Sequence, residues 1–591
     1  MTSRHGQRAE GNRAPRQFVL CFDGTGNKFS GNESDSNVLK IFRMLDRSSG
    51  DQFHYYQPGI GTYVTSTSLS SSGRIHKIRS AYLKAKDAAI GSTLAEHVMG
   101  GYKFLMRYYT PGDDIFFFGF SRGAYVARFL AEMLDEIGLL EAGNEELLRF
   151  AWKTFAKWQQ RRGNREQKEQ LSKYMEAFRE TFSRPVSQIR FLGLFDTVNS
   201  VPRFENAWMQ RSKFPYTART RAKVIRHAVS IDERRAKFRQ DLIGEVRPST
   251  PTGPTSRRQR VRDHLARHHL YLPHDPTQRR HDEEGEQHNG ATATSGSQNS
   301  EKAANRGPQA QTKTHTVYRP PARRLRDDRS ARSLPSAAAS CLSLSMEAEE
   351  DEEQDIEEVW FPGCHADIGG GWELKDGETY ALSHAPLVWM VEKAQEAGVQ
   401  FSVKKRKDFN CWHDPGCKAQ SREQDRASAE NHKSKPDPVV IPPDNSDEKA
   451  GLSHFEHVLR RSSTDGKIHD CLEFRKGLPW TSVLSWKAME YMPFRRMDLQ
   501  EDGSWKPIRW PLPRGEVRDI PHDAKIHVSA INRLKVNPEY RPGNLIIGGG
   551  GRGVKIAPKD RGIGEWEVAE HHGCPIQETY LRKQISHVAV A

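Results

Sequence analysis

A serine within a glycine-bounded pentapeptide is the feature of this sequence with the clearest capacity for chemistry. Residues 119–123 (GFSRG) form a G-x-S-x-G box. The apolar run 115–118 before it predicts a strand buried on both faces, and apolar spacing of three and four over 124–134 predicts a helix after it. A serine on a tight strand-to-helix turn has the geometry of an activated nucleophile. The box therefore predicts a catalytic Ser121; the alternative is a turn serine that caps its helix.

An aspartate and a histidine further along the chain could complete a triad with Ser121. Asp196 follows the apolar run 189–195, and His365 lies in a glycine-rich loop just after the short apolar run 359–362. The order serine, aspartate, histidine is that of the α/β-hydrolase fold. His365 would accept the hydroxyl proton of Ser121 and return it to the leaving alcohol, while Asp196 would orient and stabilise the imidazole ring.

The sequence leaves other histidines open for the general base. The chain has 24 histidines. His527, in the segment IHVS, is the strongest alternative to His365. His227 lies near acidic residues and fits a structural ion-pair cluster, and His384 stands where a helix is predicted to start, which fits a capping role.

Two other aspartates compete with Asp196. Asp367 lies two residues from His365 and fits a role in shaping that glycine-rich loop, and Asp232 follows the strand predicted at 224–231. Asp196 itself could also be a strand-end carboxylate that caps a turn. Its position at the carboxyl end of a buried strand, where open α/β sheets bind ligands, favours the catalytic role.

Backbone N–H groups near the first predicted strand could hold the oxyanion of an ester hydrolysis. That strand runs into the tight loop 23–27 (DGTGN). Phosphotransferases of the haloacid dehalogenase type carry D-x-D-G-T here, but Cys21 stands where their nucleophilic aspartate would be. We therefore expect the N–H of Gly24 or Thr25 to join that of Arg122 in an oxyanion hole. The alternative is a plain glycine turn.

Strands and helices alternate around these candidates. The predicted strands are 17–22, 53–57, 115–118, 189–195, 224–231 and 359–362, and the main predicted helices are 37–45, 81–109, 124–134 and 382–397. Such alternation predicts an α/β fold with an α/β-hydrolase-like sheet flanked by helices. The carboxyl ends of parallel strands share one edge, so the candidates should meet there.

Charge and composition limit the other function classes. The net charge is +14 and the mean hydropathy −0.77, so attraction to anionic surfaces such as phospholipid head groups is allowed. Much of the positive charge falls in a low-complexity region and carries little weight. No aromatic residues interleave with the basic clusters in the pattern of a nucleic-acid-binding module, so no nucleic-acid partner is expected.

Targeting and metal signals are also lacking in the sequence. No apolar run approaches the roughly 18 residues of a transmembrane helix, and residues 1–16 have no signal-peptide core. Seven scattered cysteines suit a reducing compartment, which predicts a cytoplasmic protein. Cys411 and Cys417 have a spacing that fits no common zinc pattern, so neither a metal nor a cofactor is expected.

The predicted organisation follows shifts in composition. It comprises a disordered tail at 1–16, a catalytic domain at 17–247 and 356–400, a disordered charged insertion at 248–355, a polar linker at 401–452 and a C-terminal extension of mixed structure at 453–591.

Several motifs in order resemble the DUF2235 family, which includes the catalytic domain of type VI secretion phospholipase effectors. They are FDGTGN, YQPGIGT, GFSRGAYVAR, GLFDTVNSV and FPGCHADIGGGW with LSHAPLVWM, and more faintly IHVSAINR and YRPGNL near 526–545. The resemblance implies an α/β-hydrolase fold, a triad at Ser121, Asp196 and His365, and phospholipase A-type ester hydrolysis. The long charged insertion suggests a fungal member, so the bacterial-toxin role is not carried over.

The expected function is a serine hydrolase that cleaves carboxylic esters, of phospholipase or lipase type. Its expected partners are an ester or phospholipid substrate and, peripherally, a membrane surface. The sequence names no protein partner. The alternative from another class is a non-catalytic scaffold of the same fold that binds a partner through the insertion or the C-terminal extension. In that case His365 or His527 would not approach Ser121 within hydrogen-bond reach. Peptidase or thioesterase chemistry on the same triad is a third option.

Overall fold

The computed structural model describes most of the predicted catalytic domain and much of the C-terminal segment. The described residues are 15–27, 29–59, 94–159, 165–198, 222–243, 354–375, 377–413, 453–491, 496–499, 505–508, 514–518, 520–521, 523–546 and 555–583. Nearly all of the predicted tail, the predicted insertion and most of the predicted linker lie outside these ranges.

A single large sheet organises the described residues. Its strands are β1 (Gln17–Phe22), β2 (Gln52–Gln57), β3 (Asp114–Phe120), β6 (Ile189–Phe195), β7 (Ala222–Ser230), β8 (Asp355–Phe361), β11 (Lys525–His527), β12 (Trp566–Glu570) and β13 (Thr579–Arg582). Their order across the sheet is β12-β13-β11-β8-β7-β6-β3-β1-β2. All neighbours from β11 to β2 pair in parallel, and β13 and β12 continue antiparallel at one edge.

Two pairs of short antiparallel strands complete the strands of the described chain. In one, β4 (Leu139–Leu140) pairs with β5 (Ser183–Arg184), and in the other, β9 (Arg496–Leu499) pairs with β10 (Trp505–Ile508). The helices are α1 (Asn37–Met44), α2 (94–108), α3 (Arg122–Ile137), α4 (Leu148–Gln159), α5 (Arg165–Phe182), α6 (His365–Gly369), α7 (His384–Glu396), α8 (Val403–Asp408), α9 (His454–Asp465), α10 (Trp480–Glu490) and α11 (Val528–Val536).

Both faces of the central strands are covered by helices, which is why their sequences are continuous apolar runs. In β1, Phe18, Leu20 and Phe22 pack with α2 and α3 on one face. Val19 and Cys21 point to the other face and pack with α1 and α7. The predicted α/β class, with a mostly parallel sheet flanked by helices, is confirmed.

The C-terminal segment is built into this sheet. Strand β11 adds to β8 in parallel, and a third apolar cluster joins Val229 and Trp360 to Ile526 and residues of α11. The sequence gives little signal of this continuity, because β11 is only three residues long and has no apolar run of its own.

The predicted linker at 401–452 begins with ordered structure. Helix α8 is capped by Ser402, and its basic sequence VKKRKD contains one buried residue, Arg406. The Arg406 guanidinium donates to the Cys411 carbonyl and to Glu392. A basic run looks solvated in sequence, but one of its members is anchored here. Strand β8 begins at Asp355, which is the last residue of the predicted insertion at 248–355.

Candidate active site

Ser121 occupies a sharp turn between β3 and α3. Its backbone has φ 59° and ψ −122°, a strained conformation for a residue with a side chain. The glycines on either side are required by close packing: a Cβ on Gly119 would lie 2.4 Å from the Ala124 Cα, and one on Gly123 would lie 2.2 Å from the Phe22 carbonyl oxygen. The turn therefore holds the serine at the carboxyl end of β3 and at the start of a 16-residue helix.

His365 links Ser121 to Asp196. The His365 Nε2 lies 2.7 Å from the Ser121 Oγ, and its Nδ1 lies 2.5 Å from the Asp196 Oδ2. All three residues are buried. Each one follows a different strand of the sheet, β3, β6 or β8, at its carboxyl end. The structure thus brings together the three residues that the sequence singles out, in hydrogen-bond contact.

Asp196 is also held by Arg518. The Arg518 Nη1 donates to the Asp196 Oδ1 at 2.5 Å, and its Nη2 donates to the Oδ2 at 2.9 Å. The Ser230 N–H also donates to the Oδ1 at 2.9 Å. The guanidinium is itself fixed by the carbonyls of Ser230 and Phe238. Such a two-point contact fixes the plane of the carboxylate as well as its position.

Sequence reasoning missed Arg518. It lies 322 residues after Asp196, in a polar stretch without periodicity, and is one of 90 basic residues. No motif marks it. The faint family resemblance near 526–545 is the one signal in the sequence that the C-terminal segment belongs to the same structural unit.

The charges around Asp196 keep it ionised. Complete burial would raise the pKa of its carboxyl, but the Arg518 guanidinium and the hydrogen bond from His365 outweigh burial and hold the pKa well below its usual range. A carboxylate that is charged at neutral pH can orient the Nδ1 proton of His365 and stabilise a positive imidazolium.

Burial has the opposite consequence for His365. It lowers the pKa of the imidazole below its usual 6.5, and the hydrogen bond to Asp196 offsets this only in part. The ring is therefore neutral at neutral pH, with its Nε2 able to accept a proton from the Ser121 hydroxyl.

Neighbouring groups fix the His365 ring and backbone. The His365 N–H donates to the Glu233 Oε2 at 3.1 Å, and the ring packs between Phe120 and Phe238 at centroid distances of 4.8 and 4.6 Å. Burial would raise the pKa of Glu233, but its ion pair with Arg235 outweighs burial and lowers the pKa to about 2. Glu233 thus remains an anion that anchors the backbone of the histidine.

The predicted oxyanion loop lies beside the start of α3. A Cβ on Gly123 would lie 2.5 Å from the Asp23 carbonyl oxygen, so the loop backbone touches the turn that carries Arg122. The Gly24 N–H donates to the Asp23 Oδ1 at 2.6 Å. The Gly24 N–H is therefore already engaged within the loop. The other N–H that the sequence predicts for the oxyanion hole from this loop is that of the next residue, Thr25.

The alternative histidines occupy other places. His527 caps α11: its Nδ1 contacts the Ser529 Oγ at 2.8 Å and its Nε2 contacts the Ile576 carbonyl oxygen at 2.9 Å. His227 contacts Glu358 and accepts from the Thr197 N–H. His384 begins α7. In the described structure it is His365 that contacts Ser121.

The alternative aspartates hold loops around His365. Asp367 accepts hydrogen bonds from the Cys364 N–H and from both the backbone and the ring of His469. Asp232 accepts from the Gly363 N–H and the Tyr540 hydroxyl.

Two further features of the described residues concern metal binding and membrane crossing. Among them, no group of three or more His, Cys, Asp or Glu side chains has an arrangement that could hold a metal ion. No helix within the described ranges has the length and apolar character needed to cross a bilayer. Cys411 is buried, and Cys417 lies outside the described residues.

Comparison with known proteins identifies the family. The family described as "T6SS, Phospholipase effector Tle1-like, catalytic domain" matches residues 16–393. The chain belongs to this family. The resemblance to DUF2235 predicted from the sequence is confirmed, and Arg518 lies beyond the matched residues.

A relative and two solved structures also resemble the chain. The uncharacterized protein YEL023C of Saccharomyces cerevisiae is 29% identical over 571 residues, covering 90% of this chain and 80% of its own, which is consistent with the predicted fungal origin. An uncharacterized protein from Pseudomonas aeruginosa is 18% identical with a TM-score of 0.28, over 76% of this chain and 53% of its own. The Tle1 effector bound to the VgrG spike of the type VI secretion system is 16% identical with a TM-score of 0.21, over 43% and 53%. The chain thus spans about half the length of each solved chain.

Proposed function

We propose that this protein is a serine hydrolase that cleaves a carboxylic ester of a phospholipid. The observation that carries the proposal is the continuous contact from the Ser121 Oγ through His365 to Asp196, at 2.7 and 2.5 Å. The match to a family of phospholipase effectors supports a lipid as the substrate class. The 2.7 Å contact also favours catalysis over the scaffold alternative, in which no histidine would reach the serine.

In the first half-reaction, the Ser121 Oγ attacks the ester carbonyl as His365 Nε2 takes the hydroxyl proton. The tetrahedral intermediate collapses, the bond to the leaving alcohol breaks, and His365 returns the proton to that alcohol. An acyl group then remains on Ser121. In the second half-reaction water attacks the acyl carbon, with His365 again accepting a proton and returning it to Ser121 as the fatty acid leaves.

We assign the oxyanion to the N–H groups of Arg122 and Thr25. The first N–H groups of a helix have no acceptor within that helix, and the helix dipole favours negative charge at this end. Gly24 supports the loop, because its N–H donates to Asp23. Loss of one such donor typically costs about 2.7–4 kcal/mol of transition-state stabilisation.

Arg518 acts in this scheme as a positioning residue. It keeps Asp196 ionised and fixes the carboxylate plane, and through Asp196 it sets the tautomer and tilt of His365. The C-terminal segment is therefore part of the catalytic unit, although the family match ends before it.

The test is hydrolysis by the full-length protein. Fatty acid release from phosphatidylcholine and phosphatidylethanolamine is measured beside that from a short-chain p-nitrophenyl ester, for wild type and Ser121→Ala. We expect wild type to release fatty acid from phospholipid and the variant to release none above background. Equal release by a well-folded Ser121→Ala protein would overturn the proposal.

A further inference from the structure

Helix α10 presents an apolar stripe to solvent. Trp480 and Leu484 lie four residues apart on one face and Tyr491 follows at the end of the helix, with exposed fractions of 67%, 47% and 67%. Phe474, 46% exposed, lies against the same face, since the Lys487 Nζ is 4.8 Å from its ring centre. These four residues are called the outer stripe. Large apolar side chains at this level of exposure, grouped on one face, mark an interaction surface.

The opposite face of α10 packs against the catalytic site. Trp486 contacts Phe238 at a centroid distance of 5.5 Å, and Phe238 in turn packs on the His365 ring. Glu490 accepts hydrogen bonds from the backbone N–H groups of Ala236 and Gly515. The width of the helix, about 10 Å, therefore separates the outer stripe from the groups that surround His365.

The charge around the outer stripe is positive. Between residues 474 and 491 the sequence has three basic residues, Arg475, Lys476 and Lys487, and a single acidic one, the buried Glu490. The Arg514 guanidinium adds a cation 5.3 Å from the Tyr491 ring centre. Trp and Tyr beside Lys and Arg are the residues that favour the boundary between lipid head groups and acyl chains.

A second exposed aromatic group provides a comparison. Phe150 on α4 and Tyr174 on α5 are each 45% exposed and pack edge to face. The charged neighbours of this pair are of both signs: the exposed residues of α5 include Glu166, Glu176 and Lys173, and those of α4 include Arg149 and Lys153. This pair therefore offers exposed aromatic area on helices other than α10.

We propose that the outer stripe docks the protein on the surface of a bilayer that contains anionic phospholipid, next to the site of ester hydrolysis. This inference rests on the proposed function, which makes a lipid the substrate. Trp480, Leu484 and Tyr491 enter the head-group region, and Lys487 and Arg514 pair with lipid phosphates. Docking there brings substrate within reach of Ser121 without a membrane-spanning helix.

The test measures binding to vesicles that cannot be hydrolysed. Full-length protein is floated with vesicles of diether phosphatidylcholine and phosphatidylglycerol, which lack carboxylic esters. We expect wild type to bind, and the variant Trp480→Ser/Leu484→Ser/Tyr491→Ser to lose at least about tenfold in binding, because each serine removes apolar area from the lipid contact. Pure diether phosphatidylcholine and raised salt should each weaken wild-type binding.

The control variant is Phe150→Ser/Tyr174→Ser, which removes exposed aromatic area elsewhere. It should bind vesicles as wild type does. Both variants should hydrolyse a short-chain soluble ester at the wild-type rate, which also verifies that they fold.

The outcomes separate this inference from the proposed function. Equal vesicle binding by the triple-serine variant and wild type would overturn the docking surface, even if wild type hydrolyses esters. The docking surface would also be overturned if wild type does not bind vesicles and the triple-serine variant changes its oligomeric state. That result would assign the stripe to a protein interface. Stripe-dependent binding without any ester hydrolysis would support the surface and reject the proposed chemistry.

Discussion

At the scale of single residues, the pairing of Arg518 with Asp196 is the least expected feature of the site. Both side chains have no solvent exposure, so their desolvation is expensive and must be offset by close charge contact and hydrogen bonds. The guanidinium meets this need with two bonds to the carboxylate and others to main-chain carbonyls. Removal of one partner would leave a buried, uncompensated charge.

Replacement of Arg518 should affect both stability and catalysis. We expect Arg518→Met to lower the free energy of unfolding by about 3–5 kcal/mol, since Asp196 then lacks its cation. Arg514→Met, an exposed arginine of the same segment, is the matched control and should have little effect. Urea unfolding measures the difference. A loss of under 0.5 kcal/mol, about the range of ordinary surface substitutions, would contradict the assigned role.

The pH dependence of hydrolysis should report on His365. Catalysis needs the neutral imidazole, which predominates above its pKa, and burial lowers that pKa below 6.5. The acid limb of kcat/KM should therefore lie below pH 6.5. In Arg518→Met the limb should move to higher pH, because loss of a nearby positive charge makes the Asp196–His365 pair easier to protonate. An unmoved limb would mean that Arg518 is only structural.

At the scale of secondary-structure elements, the turn between β3 and α3 depends on the lack of side chains at its glycines. Gly123→Ala should destabilise the fold by about 1–3 kcal/mol, as an overpacked site does, because the new Cβ would meet the Phe22 and Asp23 carbonyl oxygens. It should also reduce ester hydrolysis by tilting Ser121. Gly562→Ala is the control, since the nearest atom to its Cβ would be the Gly564 nitrogen at 4.0 Å. Equal stability of the two variants would argue against a cramped turn.

Most of the elements that carry the candidate site could be predicted from the sequence. Strands β1 and β6 match their predicted bounds, because strands buried on both faces must be continuous apolar runs. Ser121, Asp196 and His365 stand out since each is a polar residue at the end of such a run. Arg518 could not be predicted this way: it contacts Asp196 through tertiary structure alone, from a segment without a buried strand or helix of its own.

At the scale of the whole molecule, the contacts around Asp196 extend beyond the family match. A chain ending at residue 413 keeps all of residues 16–393 but lacks Arg518, β11 and α10. We expect this truncation to be insoluble or inactive, because Trp360 and Val229 lose the apolar neighbours that the C-terminal segment supplies and Asp196 loses its cation. Ester hydrolysis by a soluble truncated protein at the wild-type rate would contradict the role of the C-terminal segment.

Deletion of residues 250–343 should be tolerated. The described residues end at 243 before this region and resume at 354 after it. These two ends lie close together, since the Ile243 N–H donates to the Glu358 Oε1 at 2.9 Å and Glu358 is only four residues after Gln354. A short Gly/Ser linker can span such a gap. We expect the deleted protein to keep ester hydrolysis, measured with the p-nitrophenyl ester. Loss of activity in a well-folded deletion protein would contradict the prediction that this region is an insertion.

The most direct test of the central claim is labelling by a fluorophosphonate probe, which reacts only with an activated serine. Full-length wild type and Ser121→Ala are incubated with the probe and the label is located by mass spectrometry. We predict covalent label on Ser121 in wild type and none in the variant, because His365 lies 2.7 Å from the hydroxyl that it activates. Absence of label on well-folded wild type, with and without phospholipid vesicles, would contradict the assignment of Ser121 as the nucleophile.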